Sequence, residues 1–322
     1  MITSVVITAI STSDSVSAGI IVFGAGPNAF NMDFTTIGSP GNAADTTGSP
    51  NPVGAVSYTY QLGTYEVSED MITKYNANFG TANGLVITQD SRGADKPATS
   101  VSWNEAARFV NWLNTSTGGV AAYKFTTGGV NDNIALWSPN DAGYNSANLF
   151  RNSLATYVLP SLDEWYKAAY FDPTSSNYFN FPNGSDNAPT TVASGTIAGT
   201  AVYGQPEDAV PADITLAGGL SPFGIMGLGG NVWERQETEA DFDNSSGSSD
   251  RWVRGGSRGS GSTALLSSSL QFAPDPFNEG QWVGFRVARL PSSAVAVPEP
   301  GSFVVWSVMG LSGWWYRGRR RK

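Results

Sequence analysis

The hexapeptide GGNVWE, residues Gly229 to Glu234, constrains the fold of this 322-residue chain more than any other stretch of its sequence. Two adjacent glycines let the backbone turn tightly or adopt a positive φ. A tryptophan and a carboxylate follow within the same six residues, and a side chain as large as tryptophan is usually buried. We therefore expect a sharp turn at this point, with a buried indole ring and an acid side by side.

The chain contains no cysteine and no histidine. The absence of cysteine excludes disulfides, thiolate nucleophiles, zinc–thiolate sites and iron–sulfur clusters. The absence of histidine excludes imidazole bases, Ser-His-Asp triads and the iron site built from two histidines and a carboxylate. Any catalysis would therefore depend on carboxylates, hydroxyls, lysine or a metal held by oxygen ligands.

Glycine and proline are abundant, with 37 and 18 residues, so long loops are expected and a helix bundle is not. The formal net charge is −9, and five of the 18 basic residues lie within the last six positions. The body of the chain is therefore more acidic than the total suggests, which argues against nucleic acid as a partner.

The C-terminal region, 291–322, combines three features in a fixed order. VPEP at 297–300 precedes an apolar stretch at 303–316, and a run rich in arginine closes the chain. As a helix the apolar stretch would be about 21 Å long, shorter than the roughly 20 residues that span a bilayer comfortably. This order resembles the PEP-CTERM sorting signal of bacteria. The resemblance implies export, a short transmembrane helix that anchors the chain in the membrane, and processing by an exosortase-type enzyme; an ordinary C-terminal anchor is the alternative.

The N-terminal region gives weaker signals. Residues 1–19 are interpreted as a remnant of a signal peptide, although no basic residue precedes Lys74, and we favour a start codon placed too late. Residues 20–54 are rich in turn-forming residues and are expected to form an extended lead-in. Within them GAGPNA at 24–29 fits a dinucleotide-binding pattern, but no helical periodicity follows, so a plain turn is the better interpretation.

Helices are indicated by their capping residues. Ser102 with Glu105 and Ser161 with Glu164 form S-x-x-E capping boxes, each followed by apolar residues at helical spacing. Ser68 indicates a further helix over 69–78, with Gly80 just beyond its end.

Strands are predicted at 58–67, 252–254 and 282–288, where aromatic and β-branched residues cluster or alternate with others. Because strands and helices do not alternate regularly, the fold class is α+β.

Five segments, in order, resemble the formylglycine-generating-enzyme/sulfatase-modifying-factor family. They are YQLGTYEVS (60–68), PATSVSWNEAARFVNWLN (97–114), LPSLDEWYKAA (159–169), SPFGIMGLGGNVWE (221–234), and RWVRGGS with GFRVAR (251–289). The resemblance implies a domain over 55–290 with a C-type-lectin-like fold, loop-rich, with short mixed strands and three main helices.

The residues required for the family's oxidase chemistry are missing. The resemblance places two cysteines at positions that here hold Ser260 and Leu265. A hydroxyl and an isobutyl group cannot bind Cu(I) as thiolates do. Related iron-dependent sulfoxide synthases use histidine ligands, so they are excluded as well. We therefore expect no formylglycine generation, and the missing residues favour a non-catalytic role, with an enzyme of altered chemistry left open as an alternative.

A calcium site is implied by the same resemblance. Its ligands would be the backbone carbonyls of Gly230 and Val232 and the carboxylate of Glu234, a set of oxygens suited to a hard cation. A further ligand of the family is replaced by Gly227. The alternative is that Glu234 forms an ion pair with an arginine of one of the later motifs, at position 254 or 286.

Other candidate residues have simpler explanations. Asp163 and Glu164 could form an acid–base pair, but their position in a first helical turn is explained by capping and by the helix dipole. The acidic loop that contains Asp241, Asp243 and Asp250 lacks the spacing of a calcium loop and is interpreted as solvated. Four tryptophans, at positions 103, 112, 165 and 233, are expected in the core.

These observations favour an exported, non-catalytic module that binds a protein, a glycan or a matrix component at the cell envelope. Two alternatives remain. One is an enzyme of altered chemistry that uses Glu234 or Asp163, and the other is a surface protein with a purely structural role.

Overall fold

The computed structural model describes residues 19–206, 208–269 and 272–291. Its α-helices are Glu69–Tyr75 (α1), Thr81–Asn83 (α2), Trp103–Ser116 (α3) and Leu162–Tyr170 (α4). Its strands are Gly19–Phe23 (β1), Phe30–Ile37 (β2), Tyr60–Gly63 (β3), Tyr157–Val158 (β4), Phe171–Asp172 (β5), Asn177–Tyr178 (β6), Thr190–Thr191 (β7), Thr200–Ala201 (β8), Trp233–Glu239 (β9), Arg251–Arg254 (β10), Val283–Gly284 (β11) and Ala288–Arg289 (β12). The fold is α+β, with three main helices, as predicted.

Two sheets organise the domain. The larger has the strand order β1-β2-β3-β12-β4 with every neighbouring pair antiparallel. The smaller has the order β10-β9-β11, in which β11 runs parallel to β9. Two further pairs, β5-β6 and β7-β8, are short. The central strand β9 begins within the GGNVWE hexapeptide, so this motif lies at the start of the smaller sheet.

Both predicted capping boxes are present. Ser102 Oγ accepts the N–H of Glu105 at 3.1 Å, and a Glu105 carboxylate oxygen accepts the N–H of Ser102 at 2.8 Å. Ser161 and Glu164 repeat the arrangement at 3.2 and 2.7 Å. Each box satisfies backbone donors that a helix start would otherwise leave unpaired. The predicted apolar stripe of α3 is fully buried, and all four tryptophans expected in the core are there.

The helix that follows Ser68 continues further than predicted. After α1 the chain makes one wider π-helical turn over Asn76–Gly80 and then forms α2. Gly84, in the left-handed region at φ 67°, ends it. Gly80 has helical φ instead, and a Cβ there would lie 2.7 Å from Asn76 Oδ1. This glycine is therefore required by close packing and not by helix termination.

The first part of the segment expected as an extended lead-in, 20–54, belongs to the larger sheet. Strands β1 and β2 form a hairpin whose turn holds the GAGPNA sequence, and Gly24 and Gly26 both have positive φ there. The interpretation of GAGPNA as a turn is confirmed. β2 then pairs with β3, and its alternate residues Phe30, Met32 and Phe34 are buried. The structured domain therefore begins well before residue 55.

The strand predicted over 282–288 is split in two. β11 belongs to the smaller sheet and β12 to the larger one, so the intervening residues cross between the sheets. The crossing segment contains Arg286, which is fully buried and pairs with Glu234. Alternation of Val283, Phe285 and Val287 indicated burial correctly, but it could not show that the intervening arginine is also buried.

The described residues end at 291. Apart from Gly19, the expected signal remnant lies outside them, and so does the tail from 292 to 322 with its apolar stretch at 303–316. Within the described part of the chain, no helix has both the length and the hydropathy needed to cross a membrane.

Candidate functional site

The hexapeptide turns as predicted. Gly230 has φ 94°, and a Cβ at this position would overlap the carbonyl oxygen of Val202. Its N–H donates to Gly255 O at 2.8 Å. The glycine is therefore needed twice, for its positive φ and for the close approach of a neighbouring backbone.

The side chain of Asn231, a residue that also has positive φ, forms hydrogen bonds that connect other loops to this turn. Its Nδ2 donates to both carboxylate oxygens of Glu66, at 3.0 and 3.1 Å, and its Oδ1 accepts the N–H of Ala212 at 2.8 Å. Burial, together with the nearby charge of Glu234, raises the pKa of Glu66 to about 8. Asn231 was not singled out from the sequence, although an asparagine after two glycines is a residue type that tolerates this backbone conformation.

The carboxylate of Glu234 is completely enclosed. Its Oε2 accepts from Arg286 Nε at 2.5 Å and from Trp165 Nε1 at 2.7 Å, and Arg286 Nη2 donates to its Oε1. We call Glu234, Arg286 and Trp165 the buried ion-pair centre. The indole beside the acid is thus Trp165 and not Trp233, because successive residues of a strand point to opposite faces. Trp233 packs instead against Phe272, with ring centroids 5.3 Å apart.

The expected calcium ligands are Gly230, Val232 and Glu234, and the hydrogen bonds of Glu234 determine whether its carboxylate is available to a cation. Both oxygens of Glu234 already accept hydrogen bonds, and the guanidinium of Arg286 balances the negative charge. The arrangement favours the ion-pair alternative, with Arg286 as the partner. At Gly227, the position that the resemblance matches to a further calcium ligand, a Cβ would lie 3.0 Å from Glu66 Oε1.

Arg254, the other candidate partner of Glu234, is engaged elsewhere. Its Nη1 and Nη2 donate to the carbonyl oxygens of Ser49 and Ser267, at 2.6 and 2.8 Å. Its guanidinium also lies 5.0 Å from the ring centroid of Tyr166. This arginine therefore ties an N-terminal loop to the domain.

Asp163 and Glu164 do not form an acid–base pair. Glu164 forms a buried ion pair with Arg151 at 2.9 Å, and Arg151 also contacts Glu237 at 2.9 Å. Burial alone would raise the pKa of Glu164, but Arg151 keeps it below its usual value. Asp163 Oδ1 accepts the N–H of Gly54 at 2.6 Å, and burial raises the pKa of this carboxyl group. Both acids stabilise the fold.

The two positions matched to the family's cysteines have different environments. Ser260 lines an open cavity of about 380 Å³ together with Gln205, Ser257, Arg258, Gly259 and Trp282, which we call the cleft. Leu265 is fully buried in a small apolar cluster and does not line the cleft. The Oγ atoms of Ser257 and Ser260 are 3.2 Å apart. The cleft therefore presents hydroxyl groups at its wall.

The hexapeptide supports the cleft through the backbone. Asn231 O accepts the N–H of Arg258 at 2.9 Å, and the carbonyl oxygens of Arg258 and Ser260 accept from Gln205 and Gly204 at 2.8 and 2.9 Å. Two loops, one near residue 205 and one near 258, are thereby joined side by side. The wall of the cleft is set by these backbone hydrogen bonds.

Trp282 closes the other side of the cleft. The N–H of Trp233 donates to its carbonyl oxygen at 2.9 Å, and the guanidinium groups of Arg258 and Arg92 lie 3.9 and 4.9 Å from its ring centroid. The sequence predicted Trp282 only as the start of a strand. Gln205 was not singled out at all, because it lies in a long loop without regular signals.

The acidic loop between β9 and β10 is exposed, as expected, at Asp241, Asp243 and Asp250. Glu239, which is buried, brings a further carboxylate within 4.8 Å of Asp241 and Asp243. One of its oxygens accepts the N–H of Ser245 at 2.6 Å. The backbone of the loop thus supplies donors to its own acids.

Solved structures with a similar fold cover most of the chain. "Treponema denticola variable protein 1" is 19% identical, with a TM-score of 0.57, and the match covers 85% of this chain and all of that one. CarF is 18% identical, with a TM-score of 0.53, over 81% of this chain and 98% of its own. At these identities the likeness shows a shared fold. A comparison with curated proteins found no significant match.

The family itself is established from the sequence. The model of the "Sulfatase-modifying factor enzyme 1-like domain" matches residues 22–291, which include both strands of the N-terminal hairpin except for the first residues of β1. The match covers well over half of the chain and ends where the described residues end. The chain therefore belongs to the FGE-sulfatase family of sulfatase-modifying factor enzyme 1-like domains.

Proposed function

We propose that this chain is an exported, non-catalytic binding module of its family, with a C-type-lectin-like fold, and that its ligand is held in the cleft. One observation carries the proposal. The cleft keeps a volume of about 380 Å³, while the two positions matched to cysteines hold a hydroxyl at its wall and a buried leucine. Without thiolates the site has no ligands for Cu(I), but its shape and polar wall are still suited to binding.

The enzyme alternative relied on Glu234 or Asp163 as a catalytic group. Glu234 is held by Arg286 and Trp165, and Asp163 accepts a backbone hydrogen bond at a helix start. Neither lines the cleft. Groups fixed in this way contribute to folding, so the positions of both acids support the binding role.

Export is the second part of the proposal, and it is supported by the order of features at 291–322. We propose that the tail anchors the chain in the membrane until an exosortase-type enzyme processes it, and that the domain then acts at the cell envelope or in the extracellular matrix. The partner there is a protein or a glycan. Calcium at Gly230, Val232 and Glu234 is not required, because Arg286 already neutralises the acid.

A direct test uses the full chain and a cysteine-containing sulfatase peptide with Cu(I) and oxygen. Mass spectrometry is expected to find the peptide unchanged, with no aldehyde product. In parallel, immobilised chain is incubated with an envelope extract with and without calcium, and a retained ligand is expected in both conditions. The variant Trp282→Ala should lose that ligand, whereas Asn187→Ala, an exposed amide outside the cleft, should keep it.

Two outcomes would contradict the proposal. Aldehyde formation that is lost in a folded Glu234→Ala variant would restore the enzyme alternative. Failure to retain any protein or glycan in either condition would instead favour a purely structural role at the surface.

A further inference from the structure

The cleft is one of two cavities that meet at the same side chain. Trp282 also lines a second cavity of about 470 Å³, together with Arg92, Asp208, Ala209, Val210 and Gln281. Both cavities are open to solvent at the surface of the domain. A ligand longer than one small unit can therefore enter both by crossing Trp282.

The lining residues of the two cavities offer both hydrogen-bond donors and hydrogen-bond acceptors. Gln205 Nε2 is fixed by the carbonyl oxygens of Val192 and Tyr203, at 3.1 and 3.0 Å, so its Oε1 is presented as an acceptor. Among the described residues, no donor reaches this Oε1 and no acceptor is reached by the Trp282 indole N–H. The hydroxyls of Ser257 and Ser260 share one hydrogen bond, which leaves one O–H that can donate and lone pairs that can accept. The amide of Gln281, which is exposed, adds one more group of each kind.

We infer that the ligand is a saccharide chain of at least two units, which lies across Trp282 with one unit in each cavity. The inference rests on the proposed binding function. A sugar hydroxyl can both donate and accept a hydrogen bond. It therefore matches a wall of amide, hydroxyl and indole groups better than a ligand that can only donate or only accept. Arg92 and Asp208 bring both signs of charge to the second cavity, which disfavours selection for a strongly charged ligand.

A peptide ligand fits the same surface less well. Peptides are commonly held as an added strand at a sheet edge or by apolar anchors in a groove. The described residues that line the two cavities belong to loops and not to strands. The exposed apolar lining is also small, since apart from the ring of Trp282 it consists of Ala209 and Val210. The surface therefore lacks the features that these peptide-binding modes use.

Isothermal titration calorimetry of the full chain tests whether a saccharide of two units binds across Trp282. Three series of one to four units are compared: glucose and cellodextrins, mannose and manno-oligosaccharides, and N-acetylglucosamine and chito-oligosaccharides. In one series the dissociation constant is expected to fall about tenfold from one unit to two, the effect of roughly one additional hydrogen-bonded contact. Gln281→Ala should remove this gain, so that two units bind no more tightly than one. Gln205→Ala should weaken the single unit about tenfold.

Trp282→Phe keeps a ring beneath the arginines but removes the indole N–H, and it should weaken every length in the series. Asn187→Ala is the matched control, and circular dichroism melting identifies any variant that fails to fold. Equal affinity for one and two units, or no binding in all three series, would overturn the inference. A displayed peptide library that is captured in a Trp282-dependent manner would also overturn it, while leaving the binding function intact. Aldehyde formation on a sulfatase peptide would overturn the binding function itself.

Discussion

The buried ion-pair centre and the cleft lie next to the same strand, yet they are built in opposite ways. Glu234 is enclosed by Arg286 and Trp165, and both oxygens of its carboxylate accept hydrogen bonds from these side chains. Trp282 lines two open cavities, and its carbonyl oxygen accepts a hydrogen bond from the N–H of Trp233. The motif residues thus stabilise the domain from the inside, while loops supply the groups that line the open cavities. Chemistry at the cleft can therefore change without altering the hexapeptide that supports it.

The largest expected effect is on the buried ion-pair centre. Glu234→Ala leaves the Arg286 guanidinium buried without its counter-ion, and it should lower the free energy of unfolding by about 3–5 kcal/mol. Denaturant titration measures this loss. The matched control is Asp70→Asn, which breaks a partly exposed pair with Lys74 and should cost no more than about 0.5 kcal/mol. Equal losses in the two variants would mean that burial of the pair does not matter.

Gly230→Ala comes next. At φ 94° an alanine costs about 1–2 kcal/mol, and its Cβ would also overlap the carbonyl oxygen of Val202. Gly26→Ala is the comparison, because this glycine has φ 56° but nothing within 4 Å of the added Cβ. Thermal unfolding should show a clearly larger loss at Gly230 than at Gly26. If the two losses were equal, only the backbone conformation, and not the close approach of Val202, would require the glycine.

A third effect depends on pH. Burial raises the pKa of Glu66 from 4.5 to about 8, so between these values the folded chain holds a proton that the unfolded chain has released. The contribution of this group to stability therefore falls as pH rises from 4.5 to 8. Glu66→Gln should flatten the unfolding free energy over this range, and it should stabilise the chain at pH 8 relative to the unmodified protein. Profiles that run parallel from pH 5 to 8 would show that Glu66 is not protonated in the fold.

The local parts of this structure could be predicted from the sequence. The capping boxes at Ser102 and Ser161 depend on residues three positions apart, so their spacing was sufficient to place α3 and α4. The family resemblance supplied the architecture over 60–289. The hairpin of β1 and β2 was missed because turn-forming residues dominate the composition around it.

The site could be predicted only in part, because its contacts are distant in sequence. Glu234 had two candidate partners, and only the crossing of the chain between the sheets brings Arg286 to it. Ser260 was named from the sequence as a position matched to a family cysteine, with no sign that it lines a cavity. Gln205 and Trp282 are placed at the cleft by backbone hydrogen bonds to Arg258 and Trp233. Because any residue type can form backbone hydrogen bonds, these contacts leave no pattern in the sequence.

The smallest effect on stability is expected at the cleft. Ser260→Cys restores one thiol with little change in size at a half-buried position, and the free energy of unfolding should change by less than about 1 kcal/mol. Leu265→Cys at the second matched position should cost more, because it leaves a cavity in a fully buried cluster. Denaturant titration compares the two. A large loss for Ser260→Cys would mean that the cleft wall is part of the core, and the contrast between an enclosed centre and an adaptable cleft would then fail.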